Sequence, residues 1–194
     1  MKTDVVLAGV GGQGVLSVAA LIASVARQER LSVKQGEVHG MAQRGGAVLA
    51  TLRMADGPIH SDLIPMGSAD ALLSMEPLEA LRYVRYLAPG GTLVSSIDPC
   101  MNIPDYPDIQ TIVAELQRWP NLVLVEAESL AREAGTLRAS NVVMVGAAAH
   151  LLPVSAETIE AHIRTRFAAK GERTIEVNLS AFRAGREAVA CQPQ

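Results

Sequence analysis

Apolar residues recur along the chain in two rhythms. Asp4–Val10 (DVVLAGV) is a near-continuous apolar run stopped by glycines, the pattern of a strand buried on both faces. Val15–Arg27 is apolar on nearly every face, which predicts a helix covered from both sides. Ser32–Glu37 reads as a short second strand. Across Ala47–Met54 the period is two: Val48, Ala50, Leu52 and Met54 fall on one face, Thr51 and Arg53 on the other. The turn Asp56-Gly57-Pro58 then predicts a hairpin into Ile59–His60.

The second half alternates strand and helix. Ala71–Met75 predicts a short buried strand, followed by a helix over Pro77–Leu87 with its proline in the first turn. Pro89-Gly90-Gly91 ends that helix, and Thr92–Ile97 is the next strand. Asp98–Asp108 holds Pro99, Pro104 and Pro107 and predicts an irregular loop. A helix over Ile109–Arg118 and a strand over Leu122–Glu126 follow. Helices are then expected at Ser129–Ala134, Asn141–Leu152, Ala156–Phe167 and Thr174–Val189. This order implies one α/β domain over residues 1–194: a Rossmann-like three-layer domain with a mostly parallel sheet and an antiparallel hairpin element. The carboxyl ends of parallel strands gather on one edge, so segments that follow the first and second strands should meet there.

Composition narrows the choice of partners. Net charge is −3, and there is no basic run and no aromatic platform, which argues against nucleic acid. The longest apolar runs, Val15–Ala26 and Val142–Ala149, are too short to span a bilayer, and the start of the chain lacks a signal-peptide pattern. Together these predict a cytoplasmic protein without a membrane partner. Cys100 and Cys191 are far apart and read as free thiols, too few for an iron–sulfur cluster or a structural zinc site.

Two glycine motifs carry the candidate chemistry. Gly9-Val10-Gly11-Gly12-Gln13-Gly14 fits G-x-G-x-x-G between a strand and a helix, where backbone N–H groups at a helix start can meet an anion. A bland alternative is that these glycines only permit the turn. A dinucleotide site would also need an acid ending the second strand. Glu37 is near that place, yet no catalytic domain follows, so a stand-alone nucleotide-binding module is a minor alternative. The second motif is Glu37-Val38-His39-Gly40-Met41-Ala42-Gln43-Arg44-Gly45-Gly46, which predicts a loop approaching a ligand or partner closely. Arg44 offers a planar fork to carboxylate or phosphate, and His39 offers an imidazole beside it. Against this stands a purely internal role, with Arg44 paired to Glu37 or Asp70 and His39 capping a helix. His60, His150 and His162 are isolated and read as structural.

GVGGQGV, EVHGMAQRGG, SDLIP and EPLEALRY, in this order, resemble the γ-type module of 2-oxoacid:ferredoxin oxidoreductases. The loop His39–Gly46 is most similar to the indolepyruvate branch, and the likeness runs from Asp4 to about Val189. The resemblance implies a CoA-dependent oxidative decarboxylation of an arylpyruvate to an aryl-acetyl-CoA, with ferredoxin as electron acceptor. It implies thiamine diphosphate with Mg and 4Fe-4S clusters, for which this chain has neither the cysteines nor a Gly-Asp-Gly segment. They are expected on a larger α subunit, in a heterodimer or α2β2 assembly, with the isolated chain colourless and inactive. No residue here is expected to be catalytic. Gly11, Gly12, Gln13, Gly14, Glu37, His39, Gly40, Met41, Gln43, Arg44, Gly45 and Gly46 are the expected ligand- or partner-binding set. Sister enzymes using pyruvate, 2-oxoglutarate or a branched-chain 2-oxoacid remain alternatives, as does a structural subunit.

Overall fold

A computed structural model describes residues 1–40 and 44–190. Six strands form one sheet: β1 (Lys2–Val10), β2 (Ser32–His39), β3 (Ala47–Ala55), β4 (Ala69–Ser74), β5 (Leu87–Ser96) and β6 (Leu122–Val125), in the order β2-β3-β1-β4-β5-β6. Only β3 runs against its neighbours; β1, β4, β5 and β6 are mutually parallel, and β2 shares their direction because it is antiparallel to β3. The expected mostly parallel sheet is therefore present.

The antiparallel element is not where the turn signal placed it. β3 pairs with β2 on one side (His39 opposite Val48) and with β1 on the other (Val10 opposite Ala47). With both edges of β3 paired, Ile59–His60 has no ladder to join. Side chains hold that segment instead: Arg53 Nη1 donates to the carbonyls of Ser61 and Leu63, and Thr51 Oγ1 donates to that of Asp62. The same guanidinium grips the fully buried Asp4 with both carboxylate oxygens, at 2.9 and 3.0 Å.

Helices cover both faces. On one lie α1 (Val15–Gln28), α4 (Ala127–Ala134), α5 (Ser140–Ala148), α6 (Ala156–Phe167) and α7 (Glu172–Ala190), against Val5, Leu7, Ala50, Leu52, Leu73 and Val94. On the other lie α2 (Pro77–Tyr83) and α3 (Ile109–Leu116), against Val6, Ala8, Leu72 and Leu93. From Val5 to Ala8 in β1 and from Ala71 to Leu73 in β4 successive residues alternate between these two cores, as a period of two requires. Every residue of α5 from Val142 to Ala148 is buried, because the sheet lies beneath it and α7 crosses above it. That crossing is backbone against backbone: a Cβ on Gly146 would lie 2.0 Å from the Phe182 carbonyl oxygen, and one on Gly185 2.0 Å from that of Val143. α1 is less enclosed than its sequence predicts; Ser17 faces solvent.

α2 is shorter than expected, ending at Tyr83 before a 3-10 turn at Val84–Tyr86. β5 starts at Leu87 and carries Pro89 where the register with β4 shifts, a place a sheet tolerates proline. Gly91 is needed there, since its Cβ would meet the Ala69 carbonyl at 2.7 Å.

Candidate functional site

β1 and β2 point the same way, so Gly11–Gly14 and the described ends of the second motif, His39–Gly40 and Arg44–Gly46, emerge at one edge, although β3 rather than direct pairing relates them. The expectation that the motifs meet holds through a different topology. They are hydrogen-bonded to each other: Gly11 N–H donates to Gly46 O at 2.8 Å, and Gly45 N–H to Gly11 O at 3.1 Å. A third segment locks them, because Asn102 Nδ2 donates to Gly45 O at 2.6 Å.

The turn itself has positive φ at Gly12 (109°) and Gly14 (84°), which disfavours any side chain. Gly12 faces open space, with nothing within 4 Å of a built Cβ, whereas a Cβ on Gly14 would lie 2.5 Å from Asn141 Nδ2. Gln13 is committed internally. Its Oε1 accepts from Val10 N–H at 2.8 Å and its Nε2 donates to Met75 O at 3.2 Å, so it bridges the ends of β1 and β4. Winding reverses between those two strands, α1 lying on one face and α2 on the other, which is the place where open α/β sheets bind ligands. Here a side chain occupies that crevice.

Beside it a cleft of about 290 Å³ is lined by Gly11, Gly12, Gly14, Ser17, His39 and Val48 among others. α1 has no side-chain cap, so its first N–H groups lack one of the usual protein acceptors. Glu37, His39, Gly40, Arg44 and Gly45 are exposed, and Gly46 is half-buried. Glu37 accepts from Gln35 Nε2 at 2.6 Å, and His39 Nδ1 lies 3.2 Å from Gly40 O. Among the described residues Arg44 has no ion-pair partner, and Asp70 is engaged with Asp4 N–H. Met41 and Gln43 lie outside the described residues, as does Cys191; Cys100 is a free thiol. Glu37 sits two strands from β1, about 10 Å at ordinary strand spacing, which is too far for the acid of a dinucleotide fingerprint.

Sequence reading missed the support behind this edge. Glu76 is buried and caps α2 by accepting from Glu79 N–H at 2.8 Å. Its other oxygen accepts from Cys100 N–H and from the Tyr106 hydroxyl, which fastens the 98–108 loop that carries Asn102. Burial and this carboxylate push the Tyr106 phenol far above its ordinary range. Burial raises the Cys100 thiol too, so it stays protonated. Glu and Pro adjoining at a helix start hinted at a cap; the distant partners left no local signal. Among the described residues no group of three or more His, Cys, Asp or Glu is placed to hold a metal ion, and no helix is long and apolar enough to cross a membrane.

A family model described as pyruvate ferredoxin/flavodoxin oxidoreductase matches residues 4–188. Indolepyruvate oxidoreductase subunit IorB of Pyrococcus horikoshii is 38% identical over 192 residues, covering 94% of this chain and 93% of that one. The subunit of the same name from Archaeoglobus fulgidus is 35% identical, covering 100% and 98%. 2-Oxoglutarate synthase subunit KorC of Methanothermobacter marburgensis is 32% identical, covering 97% of each. In fold, the chain superimposes with a TM-score of 0.71 on a keto/oxoacid ferredoxin oxidoreductase γ subunit from Geobacter sulfurreducens, at 23% identity over 98% of this chain and 99% of that one. It superimposes at 0.78 on the 2-oxoglutarate:ferredoxin oxidoreductase of Magnetococcus marinus, solved with 2-oxoglutarate, coenzyme A and succinyl-CoA bound, at 19% identity over 99% of this chain and 32% of that one.

Proposed function

This chain belongs to the pyruvate ferredoxin/flavodoxin oxidoreductase family, and from that premise we propose that it is the small subunit of an indolepyruvate ferredoxin oxidoreductase. The observation that carries the reading is the joined edge: two motifs distant in sequence are bonded through Gly11, Gly45 and Gly46 into one exposed platform. The higher identity to subunits named IorB, 35–38% against 32% for a 2-oxoglutarate synthase subunit, supports an aryl 2-oxoacid over pyruvate, 2-oxoglutarate or branched-chain acids.

In this assignment the whole chain is one γ-type domain in a cytoplasmic complex. Among the described residues the donor set does not fit magnesium or a 4Fe-4S cluster, which supports thiamine diphosphate, magnesium and the clusters being carried by a larger α subunit, in a heterodimer or α2β2 assembly. Ferredoxin receives the electrons there. The glycine edge does fit an anionic co-substrate such as coenzyme A: Gly12 leaves the backbone bare, and the start of α1 supplies N–H donors. Arg44 adds a charged fork, for a phosphate or for a carboxylate of the α subunit. The platform orients and encloses; it moves no proton.

The test is to capture the tagged chain from its native cell and assay what comes with it for iron, thiamine diphosphate and turnover. Co-purification of one larger iron–sulfur subunit, with ferredoxin reduction dependent on indolepyruvate and CoA, is the expected result. Recovery of the chain alone would remove the assembly. A complex that prefers pyruvate or 2-oxoglutarate would move the assignment to a sister enzyme.

A further inference from the structure

A second and larger cleft, of about 760 Å³, opens between the first turns of α1, α5 and α7 and the end of α6. Arg138, Arg166 and Lys170 line it, and no carboxylate does. None of these three cations has an ion-pair partner among the described residues, whereas Arg132, Arg164 and Arg183 on the neighbouring helices pair with Glu128, Glu176 and Glu160. Three like charges gathered around one hollow, without counter-charge, make a local field that favours an anion. The first turns of α5 and α7 add the positive ends of two helix dipoles.

Neutral groups give the cleft a second character. Asn178 is only 6% exposed, and its Nδ2 is taken by the Thr174 carbonyl at 2.7 Å. The residue lines the cleft. Val18 and Leu21 form an apolar floor, and the Phe167 ring an aromatic wall that carries the Lys170 ammonium 5.4 Å from its centroid. Cationic rim, apolar floor, aromatic wall and a volume in the range of ordinary ligand sites together describe a phosphorylated organic molecule better than a bare ion.

We propose that this cleft binds a phosphate ester of nucleotide size, with its phosphates on Arg138 and Arg166 and its organic part against Val18, Leu21 and Phe167. The site stands on charge and shape and does not rest on the enzyme assignment. It is separate from the glycine edge in all its charged residues, although Ser17 borders both clefts.

The full chain is titrated by calorimetry with ADP, inorganic pyrophosphate and adenosine, at low and high salt. ADP and pyrophosphate should bind saturably and compete, more weakly at high salt, with adenosine at least about tenfold weaker than ADP. Replacing both arginines (R138A with R166A) should weaken ADP by about tenfold or more, since charge-assisted hydrogen bonds are lost. Arg132→Ala, on α4 and paired with Glu128 outside both clefts, should leave this affinity unchanged. No saturable binding, equal binding of adenosine, unchanged affinity in the double variant, or loss with Arg132→Ala would each overturn the site. If the double variant does not fold, Lys170→Ala carries the test: weakened ADP binding supports the site and unchanged binding overturns it.

Discussion

Glycine does opposite work in two regions of this molecule. At the α5–α7 crossing, Gly146 and Gly185 are ordinary helical residues, and a single methyl on either would sit 2.0 Å from a carbonyl oxygen of the other helix. At the carboxyl edge of the sheet, Gly12 and Gly45 have positive φ and almost nothing within 4 Å of a built Cβ. One pair is there because no volume is left; the other because the backbone turns where side chains are disfavoured, which also leaves the surface bare. The clustered glycines look the more important in sequence. By space alone the isolated ones are the more constrained.

Substitutions can separate these roles. The largest losses are expected at the crossing. Val145→Asp would bury an unpaired charge at a fully enclosed position and should cost about 3–5 kcal/mol. Gly146→Ala must push two helix backbones apart and should cost about 3 kcal/mol. Denaturant midpoints measure both, and an unchanged midpoint for Gly146→Ala would erase the contrast. A smaller effect of opposite sign is expected at Glu79, on α2. Burial raises its carboxyl above the ordinary range, with Arg82 offsetting only part of the effect. A carboxyl that holds its proton more tightly when folded opposes folding once ionised. Glu79→Gln should therefore raise the melting temperature at pH 7. That gain should fade as pH drops and vanish below about 4.5, where the unfolded carboxyl is protonated as well. An equal gain at pH 3 would contradict this. At the edge, Gly12→Ala meets no neighbour and bears only the strain of its φ, about 1 kcal/mol. Smallest in stability is Arg44→Ala, within about 0.5 kcal/mol. In an assembled complex its effect should instead be kinetic, a KM for coenzyme A or 2-oxoacid raised about tenfold by loss of a charged hydrogen bond. Dissociation of the complex would point to an interface role, and wild-type kinetics would exclude both.

What was legible in the sequence followed local rules. The alternation of Val48, Ala50, Leu52 and Met54 gave the inward face of β3, and all four lie in one core. The strand–glycine–helix pattern located the first turn correctly, and five of the expected strands were found close to their places. The errors came where tertiary pairing overrode a local signal. Asp56-Gly57-Pro58 does interrupt the chain, but β3 already had two neighbours, so Ile59–His60 could not become a strand. Pro89-Gly90-Gly91 carries the local signal of a helix stop yet lies inside β5, where a register shift accepts it. At the site, the motifs named the right edge without their supports. Asn102 on Gly45, Glu76 on Tyr106 and Asn141 against Gly14 join residues 30 to 127 positions apart in sequence by contacts that no spacing rule encodes.

The bonds at the edge also have an order in time. A ribosome delivers β1, α1, β2 and β3 within the first 55 residues, and both hydrogen bonds between Gly11 and the Gly45–Gly46 pair need nothing made later. The Gln13 bridge waits for Met75, and the Asn102 clamp waits for a loop made after β5. The nascent chain can thus lay down the platform early, from β3 paired antiparallel with β2 on one side and β1 on the other. The parallel half of the sheet, slower to form because its strands must await their crossover helices, then arrives as the part that fastens it.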